Sequence, residues 1–190
     1  MFSDVISHLI YSILNAPIRE YPYPHFFSVD VFPKNFYDEI MKHMPAANSY
    51  QSLQEQNLIH IPVKEIEKFE RRSVTTLHDD KIYLIDESIR DFWLELTKIF
   101  LSQEFMVPLL LKFQPWFVDK YGEVLELSYR AHISLFRDTE LWDLGPHTDQ
   151  SDEILGLFFY LPSDVSTSHL GTSIYTPKEF GLTSPEGGRY

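Results

Sequence analysis

Apolar residues at Phe2, Val5, Ile6, Leu9, Ile10, Ile13 and Leu14 recur every three to four positions. This spacing lines one face of an α-helix, and Asn15-Ala16-Pro17 supplies its stop. The following Tyr21-Pro22-Tyr23-Pro24-His25-Phe26-Phe27 cannot continue a helix, because each proline pushes the residue before it into extended backbone. An extended arm is expected there, leading to a short strand near Phe26 to Val31. Pro33 suits the first position of a helix running to about Met44, with Phe36, Ile40 and Met44 four apart and Pro45 as terminator. Residues 46–80 are polar and mixed; a short helix at Val63 to Phe69 is the one element they offer. From Asp86, read as an N-cap, the stripe Ile89, Phe92, Trp93, Leu96 and Phe100 is helical again. The apolar run Phe105 to Phe113 contains Pro108, which argues against a straight uninterrupted helix.

After Gly122 the period falls to two. Leu125, Leu127, Tyr129, Ala131, Ile133 and Leu135 alternate with Glu126, Ser128, Arg130, His132 and Ser134, the pattern of a long strand with one buried face. Two further strands are expected at Ile154 to Leu161 and at Thr172 to Thr176. Helices first and strands afterwards imply an α+β chain whose helices pack on one side of a sheet or barrel.

Composition narrows the chemistry. The chain has 190 residues, 44% of them apolar, with no cysteine and a formal charge of −12. One folded domain fits this length. A zinc finger, a disulfide framework and a thiol nucleophile are excluded, so a metal would be held by His, Asp or Glu. Nucleic-acid phosphates call for clustered Lys and Arg, which an acidic chain does not offer. The longest apolar stretch, Ile154 to Leu161, is far short of the ~20 residues of a membrane span, and Asp4 stands where a secretory signal carries bases. The expectation is a cytoplasmic protein without a nucleic-acid or membrane partner.

Leu144-Gly145-Pro146-His147-Thr148-Asp149 places an imidazole and a carboxylate two residues apart. On a strand both point to one face and can reach one cation. This is two-thirds of the facial triad that holds non-haem Fe(II). About one His-x-Asp/Glu match is expected by chance in such a chain. Two occur, the other being His78-x-Asp80. His147 and Asp149 lie between strand candidates and follow a Gly-Pro turn signal, whereas His78 lies in a polar stretch without alternation. A solvated turn with an exposed His remains the alternative for His147. His132 falls on the polar face of its strand, where a structural role is the simpler reading. Tyr129 reads first as a core residue, and Trp93, Trp116 and Trp142 as core or rim aromatics.

The run 144–149, then Leu157-Phe158-Phe159-Tyr160-Leu161-Pro162, then His169-Leu170-Gly171-Thr172-Ser173-Ile174-Tyr175 resembles the 2-oxoglutarate- and Fe(II)-dependent oxygenases of the prolyl-hydroxylase-like type. The resemblance is continuous over about residues 121–181, and Tyr23 to Pro33 resembles the strand and helix that commonly precede that domain. It implies N-terminal helices packed on a double-stranded β-helix of the jelly-roll, cupin-like kind. The whole of 1–190 would be one oxygenase-like domain, with 1–120 as helical support and 121–190 as the first strands. It further implies His147 and Asp149 as iron ligands, 2-oxoglutarate as co-substrate, dioxygen as oxidant, and hydroxylation or another oxidation of a small-molecule or peptidyl substrate.

The family's third ligand is a distal His followed by an Arg or Lys for the co-substrate carboxylate. Here the only His after Asp149 is His169, just before the Gly-Thr-Ser-Ile-Tyr strand. Either His169 is an unusual third ligand, or the sequence is an N-terminal portion that stops before the remaining strands. Residues 138–177 contain seven acids (Asp138, Glu140, Asp143, Asp149, Asp152, Glu153 and Asp164) and no Lys or Arg. That field attracts a cation and repels a dianion, so a base from elsewhere is needed. Arg130 is the first candidate and Arg137 the second, with Tyr129 as a hydrogen-bond donor by analogy to the family. The competing readings are a non-catalytic β-sandwich binding module and an inactive, truncated oxygenase.

Overall fold

Helix α1 spans Phe2–Asn15 and seats Val5, Ile6, Leu9 and Ile13 in the core, as their spacing requires. The computed structural model describes residues 2–56, 70–122, 130–139, 149, 153–167 and 169–176. Helix α2, Lys34–Lys42, buries Phe36 and Ile40. Pro33 is its N-cap and not its first residue; the Pro33 carbonyl accepts from the amides of Phe36 and Tyr37, both at 2.9 Å. Helix α3, Glu87–Leu101, carries the expected stripe, with Trp93 and Leu96 buried. Its Asp86 cap accepts the Ser88 amide at 2.9 Å, satisfying one of the orphan donors of the first turn. Trp93 donates through Nε1 to the His43 carbonyl at 2.7 Å, joining α3 to the end of α2.

Helix α4, Gln103–Lys112, corrects one expectation, because it runs through Pro108 as a single element. Proline at the sixth of its ten positions removes one backbone donor from the helix interior. Ser102, which accepts from the Phe105 amide, and the buried Phe105, Leu109 and Leu110 hold the helix together nonetheless. Helix α5, Gln114–Tyr121, ends at Gly122, whose φ of 80° lies in the left-handed region that favours glycine. α1 packs against α3 and α4. Lys112 of α4 donates to the carbonyls of Leu14 and Ala16 at 3.1 and 2.5 Å, closing the carboxyl end of α1.

Three antiparallel strands lie beside the helices in the order β1 (Gln51–Ser52), β2 (Arg72–Thr76) and β3 (Ser134–Asp138). β2, the central strand, lies in the polar, mixed stretch 46–80, for which the sequence offers only a short helix. The fold is thus mixed, α+β, among the described residues. β3 starts later than expected: 130–133 lie outside any strand, and the expected strand residues 125–129 lie outside the described residues. The short helix expected at 63–69 also lies outside them.

Three further strand expectations are not met. Around Phe26 there is only an isolated bridge between Arg19 and His25, whose amides and carbonyls exchange bonds of 2.8 and 2.9 Å. With two prolines in the loop it closes, the arm forms a small turn and not an edge strand. Neither Ile154–Leu161 nor Thr172–Thr176 belongs to a hydrogen-bonded strand among the described residues. From Leu155 on, the first nevertheless keeps a period of two in its burial. Leu155, Leu157, Phe159 and Leu161 pack against the core, while Phe158 and Tyr160 are exposed. The Phe159 ring lies 5.2 Å from both Phe32 and Phe100, and Tyr37 donates to the Pro162 carbonyl. Packing against the helical core holds this segment.

Candidate functional site

The register of β2 and β3 decides which side chains meet. Arg72 pairs with Asp138 and each step moves both strands by one, to Thr76 opposite Ser134. Beyond the strand ends the backbone keeps that register: Thr139 donates to Arg71 at 2.8 Å and Leu77 to Ile133 at 2.9 Å. These are hydrogen-bonded pairs, so the intervening pairs are the closer, non-hydrogen-bonded kind in which facing side chains touch.

Two faces result. Thr75, Leu77 and Leu135 are buried, and Ile133 packs with them, on the side of the helices. Ile133 and Leu135 therefore lie on the face that their alternation predicts. On the other side Arg72 grips Asp138 through Nε and Nη2, both at 2.7 Å, and its guanidinium lies over the Phe136 ring. Farther along, Thr76 Oγ1 is 3.5 Å from Ser134 Oγ, and Ser134 Oγ is 3.1 Å from His132 Nε2. One step past the Leu77–Ile133 pair, His132 Nδ1 meets His78 Nε2 at 3.0 Å, the two rings edge to face.

His78 thus sits at the exit of a central strand, not in a patternless loop. The β-branched run Val74-Thr75-Thr76 was the available signal, and it is short enough to be lost among its polar neighbours. His132 has the structural partner expected of it. Trp93 is buried and Trp116 packs at the edge of the core; Trp142 lies outside the described residues.

Asp149 is exposed. Its carboxylate lies near the Tyr23 phenol: partial burial raises the Tyr23 pKa above the ordinary tyrosine value, and the Asp149 charge raises it further. Tyr23 belongs to the closed turn, where its carbonyl meets His25 Nδ1 at 2.8 Å. Tyr23 and Asp149 are therefore within electrostatic reach of each other, although 126 positions in sequence separate them. His147 and Tyr129 lie outside the described residues, so their geometry relative to Asp149 and Arg130 is not described.

Arg130 and His169 are exposed. Arg137 is on β3 and accompanies Tyr50, whose phenol is raised by burial and drawn back by the Arg137 charge. Tyr160 and Thr172 share a hydrogen bond between their hydroxyls, linking the second and third segments of the family-like run. Among the described residues no three His, Asp or Glu side chains gather as a metal-binding group, and no helix is long and apolar enough to cross a membrane. Compared with protein-family models, curated proteins and solved structures, the chain finds no match.

Proposed function

We propose that the chain is a 2-oxoglutarate- and Fe(II)-dependent oxygenase in which the helices back strands of a double-stranded β-helix. The observation that carries this reading is the order of three segments: His147-x-Asp149, the aliphatic-aromatic run ending in Leu161-Pro162, and His169-Leu170-Gly171-Thr172. The alternating burial of Leu155, Leu157, Phe159 and Leu161 supports it, because a strand of such a barrel rests one face on its neighbours.

The donor chemistry fits as far as Asp149 goes, since an exposed carboxylate is a hard oxygen donor that an arriving cation can reach. His147 and Asp149 would hold the iron, and Arg130 with Tyr129 would bind the far carboxylate of 2-oxoglutarate. When bound, the metal with its co-substrate and dioxygen supplies oxidation of a substrate C–H bond. The chain's part is to hold that ion, neutralise the co-substrate and bring Tyr23 to the margin of the site. The substrate would be a small molecule or a peptidyl side chain.

Anaerobic titration with Fe(II) and 2-oxoglutarate tests the reading. A weak visible charge-transfer band should develop and disappear in both His147→Ala and Asp149→Ala. No band in the native chain, or a band indifferent to both changes, would leave the non-catalytic module as the better reading.

A further inference from the structure

The facing imidazoles of His78 and His132 form a second candidate metal position, independent of the His147–Asp149 pair. We propose that His78 Nε2 and His132 Nδ1 chelate a divalent transition ion of the zinc, nickel or copper class, with water completing the shell.

Three observations carry this. The first is placement: register makes the two residues direct cross-strand partners of the close, non-hydrogen-bonded kind, so the backbone fixes both β-carbons before any ion arrives. The second is spacing. Two nitrogens each about 2.0–2.1 Å from one tetrahedral ion are roughly 3.3 Å apart, and these lie at 3.0 Å. A small opening of the pair admits the ion. The third is orientation. Ser134 Oγ, itself beside Thr76 Oγ1, stands on the far nitrogen of His132. With Nε2–H donated to Ser134, Nδ1 keeps its lone pair toward His78, which is how an outer partner commonly fixes a metal-binding histidine.

In the metal-free pair the Nε2–H of His78 donates to that lone pair. On binding, His78 passes this proton to solvent and takes one on Nδ1, an atom buried in the metal-free pair that the opening of the two rings must expose, so two neutral imidazoles bind the ion with no net proton release. The site is open to arriving ions, because His132 is exposed and His78 only partly buried. Imidazole donors favour borderline ions over magnesium or calcium.

The test is calorimetric titration of the full chain with Zn(II) at about pH 7.5. An Asp149→Ala background removes the candidate iron site. One equivalent should bind, and His132→Gln or His78→Gln should weaken it at least about tenfold, with Ser134→Ala giving a smaller loss. Circular dichroism of each variant verifies that it is folded. Should Asp149→Ala not fold, the native chain is titrated against His132→Gln, which should bind one equivalent fewer. No heat attributable to binding, or an isotherm unchanged by both glutamine variants, would overturn the proposal.

Discussion

The ammonium of Lys112 closes two carbonyls at the end of α1 and lies 5.4 Å from the centre of the Phe26 ring. Partial burial lowers its pKa below the ordinary lysine value, while the helix-end carbonyls favour the cation. Lys112→Met keeps the stem and removes the donors, and should cost about 1–2 kcal/mol in urea unfolding. Nothing near Lys112 in sequence announces this role, since its partners are 96 and 98 positions away. Asp86 is the opposite case, legible because a cap and its helix are contiguous. Hydrogen bonds from the Ser88 hydroxyl and amide lower its pKa below the ordinary 3.8. The folded state therefore favours the carboxylate. That stabilisation is complete above the ordinary value and is lost as pH falls through the lowered one. In Ser88→Ala the Asp86 titration, followed by NMR, should move back up toward 3.8.

At the level of elements, the helices were readable because each carries its own stripe and stop signals. α4 departs from the proline rule because that rule weighs one lost hydrogen bond and not the three apolar side chains that the helix buries. The strands were harder. β2 buries residues on both of its faces, Val74 as well as Thr75, so no period of two marks it. The run from Leu155 to Leu161 does show that period, yet its buried side chains meet helices and, among the described residues, its backbone joins no ladder. Phe159, set between Phe32 and Phe100, should be its anchor. Phe159→Ala is expected to cost about 2–3 kcal/mol and to speed proteolytic cleavage within 153–162 while the helical circular dichroism signal persists. Unchanged cleavage would mean that the segment is held elsewhere.

For the molecule as a whole, the balance of helices and strands was legible, whereas the meeting of distant groups was not. His78 and His132 face each other only because a register links strands far apart in sequence, and the nearness of Tyr23 to Asp149 depends in the same way on tertiary packing. His147-x-Asp149 was visible as a motif because its spacing is local. That register also bears on the order of folding. The Arg72–Asp138 pair joins positions 66 apart and the Thr76–Ser134 pair positions 58 apart, with α3, α4 and α5 lying between them. Closing such a loop costs entropy before any ladder bond offsets it, whereas three consecutive helices meet through near neighbours. The sheet should therefore act as a clasp that shuts on a helical block already in place. Val74→Ala should accelerate unfolding and leave the folding rate almost unchanged, while Leu96→Ala should slow folding. Stopped-flow measurements on the two variants would reveal the sequence of events, and a slower folding rate for Val74→Ala would reverse it.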